Sequence, residues 1–452
     1  MSVGALFSSL SGLNAHRRIL DTTAHNISNQ LTPGYKRQVV DLAPQGVGTG
    51  AQVFSGPGSK ALGVDVLDTR RVLDDLGEVR ARNAVAAATD ATGEFESMIQ
   101  IEQVFGEPGA TGLSNQFDEF WVSWSDLADR ADNVVERGEV LSRASSIAER
   151  FQATSGDLDE IDTDAVRRMN VMVSEINTLA KQVADLNGAI ASSPETPNRL
   201  LDQRDEMASQ LASLVGAEVR PTSRGMVALS VGGRLLVGDG IAYEVTTDGA
   251  DITWVPDGAG LRGGPSELTA LQRLRTETIP ETKAQLDAIA EAFVTEVNDL
   301  HRQGFGLDGV DGRDFFDPAG TTAATIQVSA DVLGDPERVA AGAPVMPGGT
   351  APGVFDGRMA QRIGDLAVDG AATADYRAFV ADIGIRANSA GRRAETANSI
   401  ANRAIDEAES VSGVSVDEEL ATMMAAQRAY EASARVLRTV DEMMQTVIGL
   451  IR

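Results

Sequence analysis

Three histidines, no cysteine and a scatter of acidic clusters are all that this 452-residue chain offers to catalysis. His16, His25 and His301 are each followed by Arg or Asn, and no HExxH occurs. Nine residues separate His16 from His25, too many for two ligands within one helical turn. All three are expected at the surface or at an interface. Without cysteine there is no thiolate nucleophile, no disulfide and no zinc–cysteine centre. No GxSxG elbow and no GxxxxGK[ST] loop is present. Gly232-Gly233 lies between two alternating runs, so it reads as a hairpin turn rather than a phosphate cradle. The loop Asp308-Gly309-Val310-Asp311-Gly312-Arg313-Asp314 repeats its acids every third residue. A calcium loop needs them at positions 1, 3 and 5 with a distal Glu, and that pattern is missing. Asp157-Leu158-Asp159-Glu160 reads as a solvated helix face. No catalytic, cofactor or metal site is expected, and the chain reads as a non-enzyme.

Composition narrows the class further. Lys plus Arg is 39 against 66 Asp plus Glu, a net charge of −27. Broad nucleic-acid binding needs a basic face, which this balance excludes. No run of eighteen apolar residues is available to span a membrane. The start, MSVGALFSSLSGLNAHRRIL, lacks the basic-then-apolar order of a cleaved signal. Residues 1–40 carry Arg17, Arg18, Lys36 and Arg37 against Asp21 alone. Both a cytoplasmic location and export without cleavage fit that start.

The elements that would position any functional residue are helical. Val3, Leu6, Leu10, Leu13, Arg17, Leu20, Ala24 and Ile27 step by three and four, predicting a helix over 3–29 about 40 Å long. Only Arg17 breaks the stripe. The helix stops at Asn29, before Thr32-Pro33-Gly34, a turn with Pro and Gly at its centre. Leu420, Met423, Gln427, Tyr430, Ala434, Leu437, Asp441, Met444, Ile448 and Ile451 keep the same rhythm at the other end. Ser415 and Glu418 form a capping box before it, after a break at Ser410-Val411-Ser412-Gly413. Met423-Met424 and Met443-Met444 fall in this seam, where methionine suits an adaptable surface. Narrow stripes of this kind cannot be buried by one helix alone, so the two ends are expected to pair with each other or with neighbouring copies.

The body repeats the pattern. Met169, Met172, Ile176, Leu179, Val183, Leu186 and Ile190 form three heptads. Phe117, Phe120, Trp121, Trp124, Leu127 and Ala128 form an aromatic face. Leu200, Met207, Leu211 and Leu214 form another, closed by Gly216. Pro280 is read as the start of a helix carrying Leu286, Ile289, Phe293, Val297 and Leu300. An Ala-rich helix is expected over about 374–409. Between 217 and 256 the period changes to two, with Val227, Leu229 and Val231, then Ile241, Tyr243 and Val245, then Asp248-Gly249 before Ile252 and Trp254. The fold class is therefore mainly α with inserted β: an elongated helical bundle or coiled coil built from both termini, plus a small antiparallel β domain. Expected units are 1–34 with 410–452 as the terminal coiled coil, and 35–216, 261–303 and 357–409 as a discontinuous helical body. The β insert is 217–260, and 304–356 is a Gly/Pro-rich loop region with short strands. Extended chain is expected from Tyr35 to about Val72.

Asn26-Ile27-Ser28-Asn29-Gln30-Leu31-Thr32-Pro33-Gly34-Tyr35-Lys36-Arg37 resembles the N-terminal signature of the flagellar axial proteins. Ser415-Val416-Asp417-Glu418-Glu419-Leu420 and the stretch from Gln427 to Leu437 resemble the family's C-terminal end. His25 departs from the rod and hook members, which usually carry Asn there. Leu200-Leu201-Asp202-Gln203-Arg204-Asp205, Gly112-Leu113-Ser114 and Arg302-Gln303-Gly304-Phe305 are similar to the hook-associated protein 1 branch. The resemblance implies a structural protein of the bacterial flagellum outside the cell, at the hook–filament junction, reached unfolded through type III export. It implies self-assembly into a helical ring and contact with the hook protein and hook-associated protein 3. It further implies an export chaperone on the C-terminal helix, and filament cap or flagellin only indirectly. Before assembly the terminal helices are expected to be mobile. The assembly residues it singles out are Leu6, Leu10, Leu13, Leu20, Asn26, Ile27, Asn29, Pro33, Gly34, Tyr35, Leu420, Met423, Gln427, Tyr430, Ala434, Leu437, Met444 and Ile448. The competing readings are a hook or rod protein of the same family, a secreted enzyme with its site in the β insert, and a cytoplasmic coiled-coil scaffold.

Overall fold

The computed structural model describes residues 3–44, 63–109, 112–247, 251–344 and 349–450. Helix α1 (Val3–Ser28) leads into a hairpin of β1 (Gln38–Pro44) and β2 (Val64–Arg71). Then come α2 (Asp75–Phe105), α3 (Leu113–Asp129), the 59-residue α4 (Val134–Ser192) and α5 (Asn198–Val215). Six short strands follow: β3 (Glu218–Pro221), β4 (Val227–Val231), β5 (Arg234–Gly238), β6 (Ile241–Ala242), β7 (Val245–Thr247) and β8 (Ile252–Trp254). The chain returns to helix with α6 (Glu267–Arg273) and α7 (Ile279–His301), then α8 (Ala330–Leu333), α9 (Arg358–Gly364) and α10 (Leu366–Asp369). It ends with α11 (Ala371–Ser412) and α12 (Val416–Leu450). The fold is mainly helical with a small antiparallel β insert.

Aromatic side chains concentrate where α3, α7 and α11 meet. Phe117, Phe120 and Trp124 of α3 are fully buried against Phe293 of α7 and the Phe315-Phe316 pair. Ring centroids 5–6 Å apart, mostly edge to face, are the favoured aromatic geometry. Tyr376 and Phe379 bring α11 into the same cluster.

The strands pair antiparallel in the order β3-β4-β5-β6, with β7-β8 as a second ladder. Gly232 and Gly233 have φ of +55° and +82°, the left-handed pair that a type I′ hairpin demands. Val227, Leu229 and Val231 are buried as their alternation predicts. Two asparagines of α4 hold strand edges by imitating a peptide group. Asn187 donates to the Val227 carbonyl at 2.8 Å and accepts from its N–H at 3.1 Å. Asn177 does the same for Val245 at 2.8 and 3.0 Å. The strand core is thus continuous with the helical core.

Several expectations change. Pro280 stands in the first turn of α7, as expected, but α7 does not start afresh there. Residues Glu267–His301 run on through a π-helical turn at Leu274–Thr278, and Pro280 sits just after it. The widened turn accommodates a residue that has no N–H to give. The expected alternation of Ile241, Tyr243 and Val245 is split between β6 and β7. Ile241 and Tyr243 are exposed and only Val245 is buried. Asp248-Gly249 lies outside the described residues. The break before the last helix falls at Gly413, after α11 has run to Ser412.

His301 is not at the surface: it is 1% exposed, beside Trp124 and Phe315. Its Nδ1–H donates to the Arg313 carbonyl at 2.8 Å, and its Nε2 accepts from the Ala340 N–H at 2.9 Å. Asn298, one turn earlier, binds the backbone of Phe315 and Phe316. Buried Arg137 donates to the carbonyls of Ala131 and Val339. These side chains pin the Gly/Pro-rich region to the helices. In the loop at 308–314, Arg313 pairs with Asp308 and Arg302 with Asp314. Those two carboxylates therefore already have cationic partners.

Burial lowers the His301 pKa from 6.5 to about 4. The neutral ring therefore stabilises the fold fully above pH 6.5, and that contribution falls as the pH drops from 6.5 to 4. The total is about 3 kcal/mol, at ~1.4 kcal/mol per pH unit. Urea unfolding across that window should show the slope in the native chain. His301→Gln should lack it. Equal slopes in both would contradict the assignment.

Candidate functional site

The residues singled out at the two ends converge on one place. Helices α1 and α12 run antiparallel, with Asn26 against Glu419 at one end and Gly12 against Ser433 further along. Their shared base is built around Asn26, which is 1% exposed. Its Nδ2 donates to Glu419 Oε2 at 3.0 Å and to the Gln38 carbonyl at 2.9 Å. Its Oδ1 accepts from the Tyr35 hydroxyl at 2.7 Å and from the Gln38 N–H at 3.0 Å. An amide has two N–H donors and two lone pairs, and all four are used. Aspartate could not donate, and glutamine is one carbon too long.

The chain reaches this geometry through its turn. Tyr35 N–H donates to the Thr32 carbonyl at 3.1 Å, and Gly34 has φ of +74°, as a type II turn with Pro33 requires. A Cβ on Gly34 would also sit 3.3 Å from Glu206 Oε2. The turn returns Tyr35 to α1, where His25 Nδ1–H donates to its hydroxyl oxygen at 2.9 Å. Burial, then the charges of Asp202 and Glu419, push the Tyr35 pKa up, so the phenol keeps its proton and its donor role. Arg37 completes the knot: Nε donates to Glu419 Oε1 at 2.7 Å, and Glu418 lies 3.6 Å away. Its own N–H donates to the Ser412 carbonyl at 2.9 Å. Lys36 pairs with Glu78 at the start of α2.

Further out, Arg71 of β2 bridges Asp202 at 2.8 Å and Asp205 at 2.9 Å on α5. Burial raises the Asp202 pKa against the pull of Arg71. Asn198 donates to the Thr69 carbonyl at 2.6 Å.

The two stripes read from the sequence do not coincide with the seam between these helices. On α1 the buried residues are Ser9, Ala15, Thr22, Thr23 and Asn26. Leu6, Leu13, Leu20 and Ile27 are half-buried, and Leu10 is exposed. On α12 the covered line is Glu419, Met423, Ala426, Tyr430, Ser433, Leu437 and Val440. Leu420, Gln427 and Met444 face outward. Ala434 is half-buried, and the side chain of Ile448 lies outside the described residues. The reason is size. Gly12 and Ser433 bring the backbones close, and the hairpin rests on α1 as well, so small and polar residues take the buried face. Asn29 and Pro33 sit at the turn, Asn29 capping its own helix through the His25 carbonyl at 2.9 Å. The partners Glu419, Arg37, Gln38 and Arg71 were missed as site residues. The acid–base pairing of Arg37 with Glu418-Glu419 was the available signal.

Among the described residues no group of three or more acidic or histidine side chains is arranged to hold a metal, and no helix is long and apolar enough to cross a membrane. The bonds of the site hold α1, the turn, β1 and α12 together.

Comparison with known proteins agrees. The family model described as "Flagellar hook-associated protein FlgK helical domain" matches residues 98–316, and "Flagellar basal body rod FlgEFG protein C-terminal" matches 407–450. The chain is similar to the flagellar hook-associated protein 1 family. The hook-associated protein 1 of Salmonella typhimurium is 29% identical over 326 residues, which is 68% of this chain. That match spans 58% of the Salmonella protein's length. The Bacillus subtilis protein is 28% identical over 492 aligned residues, covering 97% of this chain and 96% of its own. The solved structure of the flagellar hook junction protein FlgK from Burkholderia pseudomallei superposes with a TM-score of 0.63 at 15% identity, over 74% of this chain and all of that one. The latter likeness concerns the fold.

Asn26→Asp keeps the acceptor but places a second carboxylate against buried Glu419. It is expected to cost about 2–4 kcal/mol, the range for a broken buried charge-assisted bond plus repulsion. Hydrogen exchange at 38–44 and 416–426 should rise while that of 113–129 stays fixed. Unchanged exchange at the base would contradict the role given to Asn26.

Proposed function

We propose that this chain is a structural adaptor at the hook–filament junction, exported unfolded and assembled outside the cell. One observation carries the reading. The terminal pair is fixed at its base by the knot, yet it leaves Phe7, Leu10, Leu420, Met424, Val436 and Met444 exposed. Apolar side chains lined along two rigid helices want a further surface. Neighbouring copies supply it when the pairs pack side by side into a tube. The aromatic body then forms the wall, and the β strands project from it. Of the stripe residues expected to pair with the other terminus or with neighbouring copies, Leu10, Leu420 and Met444 face outward and become contacts between copies. The acidic surface keeps stray copies apart before they reach the tip.

By the family resemblance, the hook protein meets one face of the ring and hook-associated protein 3 the other, with flagellin and its cap further along. An export chaperone covers the C-terminal helix beforehand. The hook and rod alternatives lose ground because the helical-domain match at 98–316 is to the hook-associated branch.

Electron microscopy of cells lacking this protein, with a blot of the medium for flagellin, tests the reading. Complete hooks without filaments and flagellin shed into the medium are expected. Absent or truncated hooks would place the protein in the rod or hook instead, and normal filaments would end the proposal.

A further inference from the structure

The terminal unit, meaning α1, α12 and the β1–β2 hairpin, meets the rest of the molecule in two ways. One is covalent, through α2 and α11. These helices pack along their length, but their character changes part-way. Met98, Ile101 and Phe105 of α2 join the main core, as do Tyr376, Phe379 and Ile383 of α11. Toward the terminal unit the buried residues are alanines: Ala81, Ala86 and Ala88 against Ala394, Ala401 and Ala408. None of these belongs to that core. An alanine seam buries little apolar area per turn, so it resists bending weakly. A cleft of about 490 Å³ runs beside it, between α2, α11 and α6.

The second connection is non-covalent, between the hairpin and the α4–α5 corner. It consists of polar bonds: Arg71 to Asp202 and Asp205, Asn198 to the Thr69 carbonyl and Gln38, and Thr196 to Asp68. Behind these bonds the Thr32–Tyr35 turn and α4–α5 enclose a cleft of about 400 Å³, with Pro33 and Tyr35 on one wall and Leu179 and Met207 on the other. Apolar groups face each other there without filling the space. Among the described residues the hairpin and the α4–α5 corner are therefore fastened by ion pairs and amide bonds, with a cleft behind them.

We propose that the Arg71–Asp202–Asp205 cluster is a latch and the alanine-seamed part of α2–α11 a hinge. With the latch closed, the terminal unit takes the inclination seen here. With it open, the unit tilts as one piece, because the bonds from Asn26 and Arg37 to Glu419 lie within the unit itself. Under the assembly reading above, on which this use of the device rests, copies in one ring can then present their terminal pairs at two inclinations. The test needs only the isolated chain, so its failure is separate from a failure of that reading.

The sequence has no cysteine, so spin labels go only where they are placed. One pair, Leu31→Cys with Val171→Cys, spans the latch. A control pair, Val122→Cys with Val171→Cys, lies within the body; all three positions are exposed. Pulsed electron spin resonance should give one narrow distance for each pair in the native background. Adding Asp202→Asn and Asp205→Asn together should bring in a second, longer distance for the Leu31 pair while leaving the control unchanged. An unchanged Leu31 distribution would overturn the proposal, and so would equal broadening of both pairs, which reports general loosening. Arg71→Gln provides the second variant should the double change not fold, with the same expected and contradicting results.

Discussion

Glu419 has 3% of its side chain exposed, and its charge is answered by Arg37 and by the amide of Asn26. A carboxylate taken out of water at a helix start is costly unless its oxygens are occupied. Here each oxygen has a partner, and both partners come from the far end of the chain. That requirement draws α1, the Thr32–Tyr35 turn, β1 and α12 to one point. Once they meet there, the antiparallel pairing of the terminal helices has its register. The hairpin has its seat, and α2 and α11 leave the knot side by side.

The rest of the molecule follows from a division of labour between polar and apolar contacts. The aromatic cluster of α3, α7, α11 and Phe315-Phe316 supplies the burial that stabilises the body. Buried asparagines and His301 then place irregular chain against it by satisfying backbone groups one at a time. Toward the terminal helices the apolar contribution thins to alanine, and polar bonds take over. The body is thus closely packed, while the terminal helices keep apolar side chains such as Phe7, Leu420 and Val436 exposed.

Much of this was legible in the sequence, for local reasons. Heptad spacing, the Pro33-Gly34 turn, Gly232-Gly233 and the aromatic face of α3 are set by residues within a few turns of one another. The seam between α1 and α12 lies one position from the apolar stripe on alternate turns, because size decides that contact rather than hydrophobicity. Ala426 and Ser433 fit closely against α1, whereas Leu420 and Gln427 do not. The partnership of Asn26 with Glu419 spans 393 residues and has no local trace. His301 looked like a surface residue because one imidazole on a helix says nothing about the loop that will cover it. Pro280 marks the first turn of α7, but the π turn that joins α7 to α6 leaves no mark in periodicity.

The central claim is that Asn26 and Glu419 act as one unit. A double-mutant cycle with Asn26→Ala and Glu419→Gln, read by urea unfolding, tests it directly. Residues sharing one buried network should couple by about 1–3 kcal/mol, so the double variant should be less destabilised than the two single changes combined. Additive losses would show that the two side chains act independently, and the terminal helices would then owe their arrangement to something other than the knot.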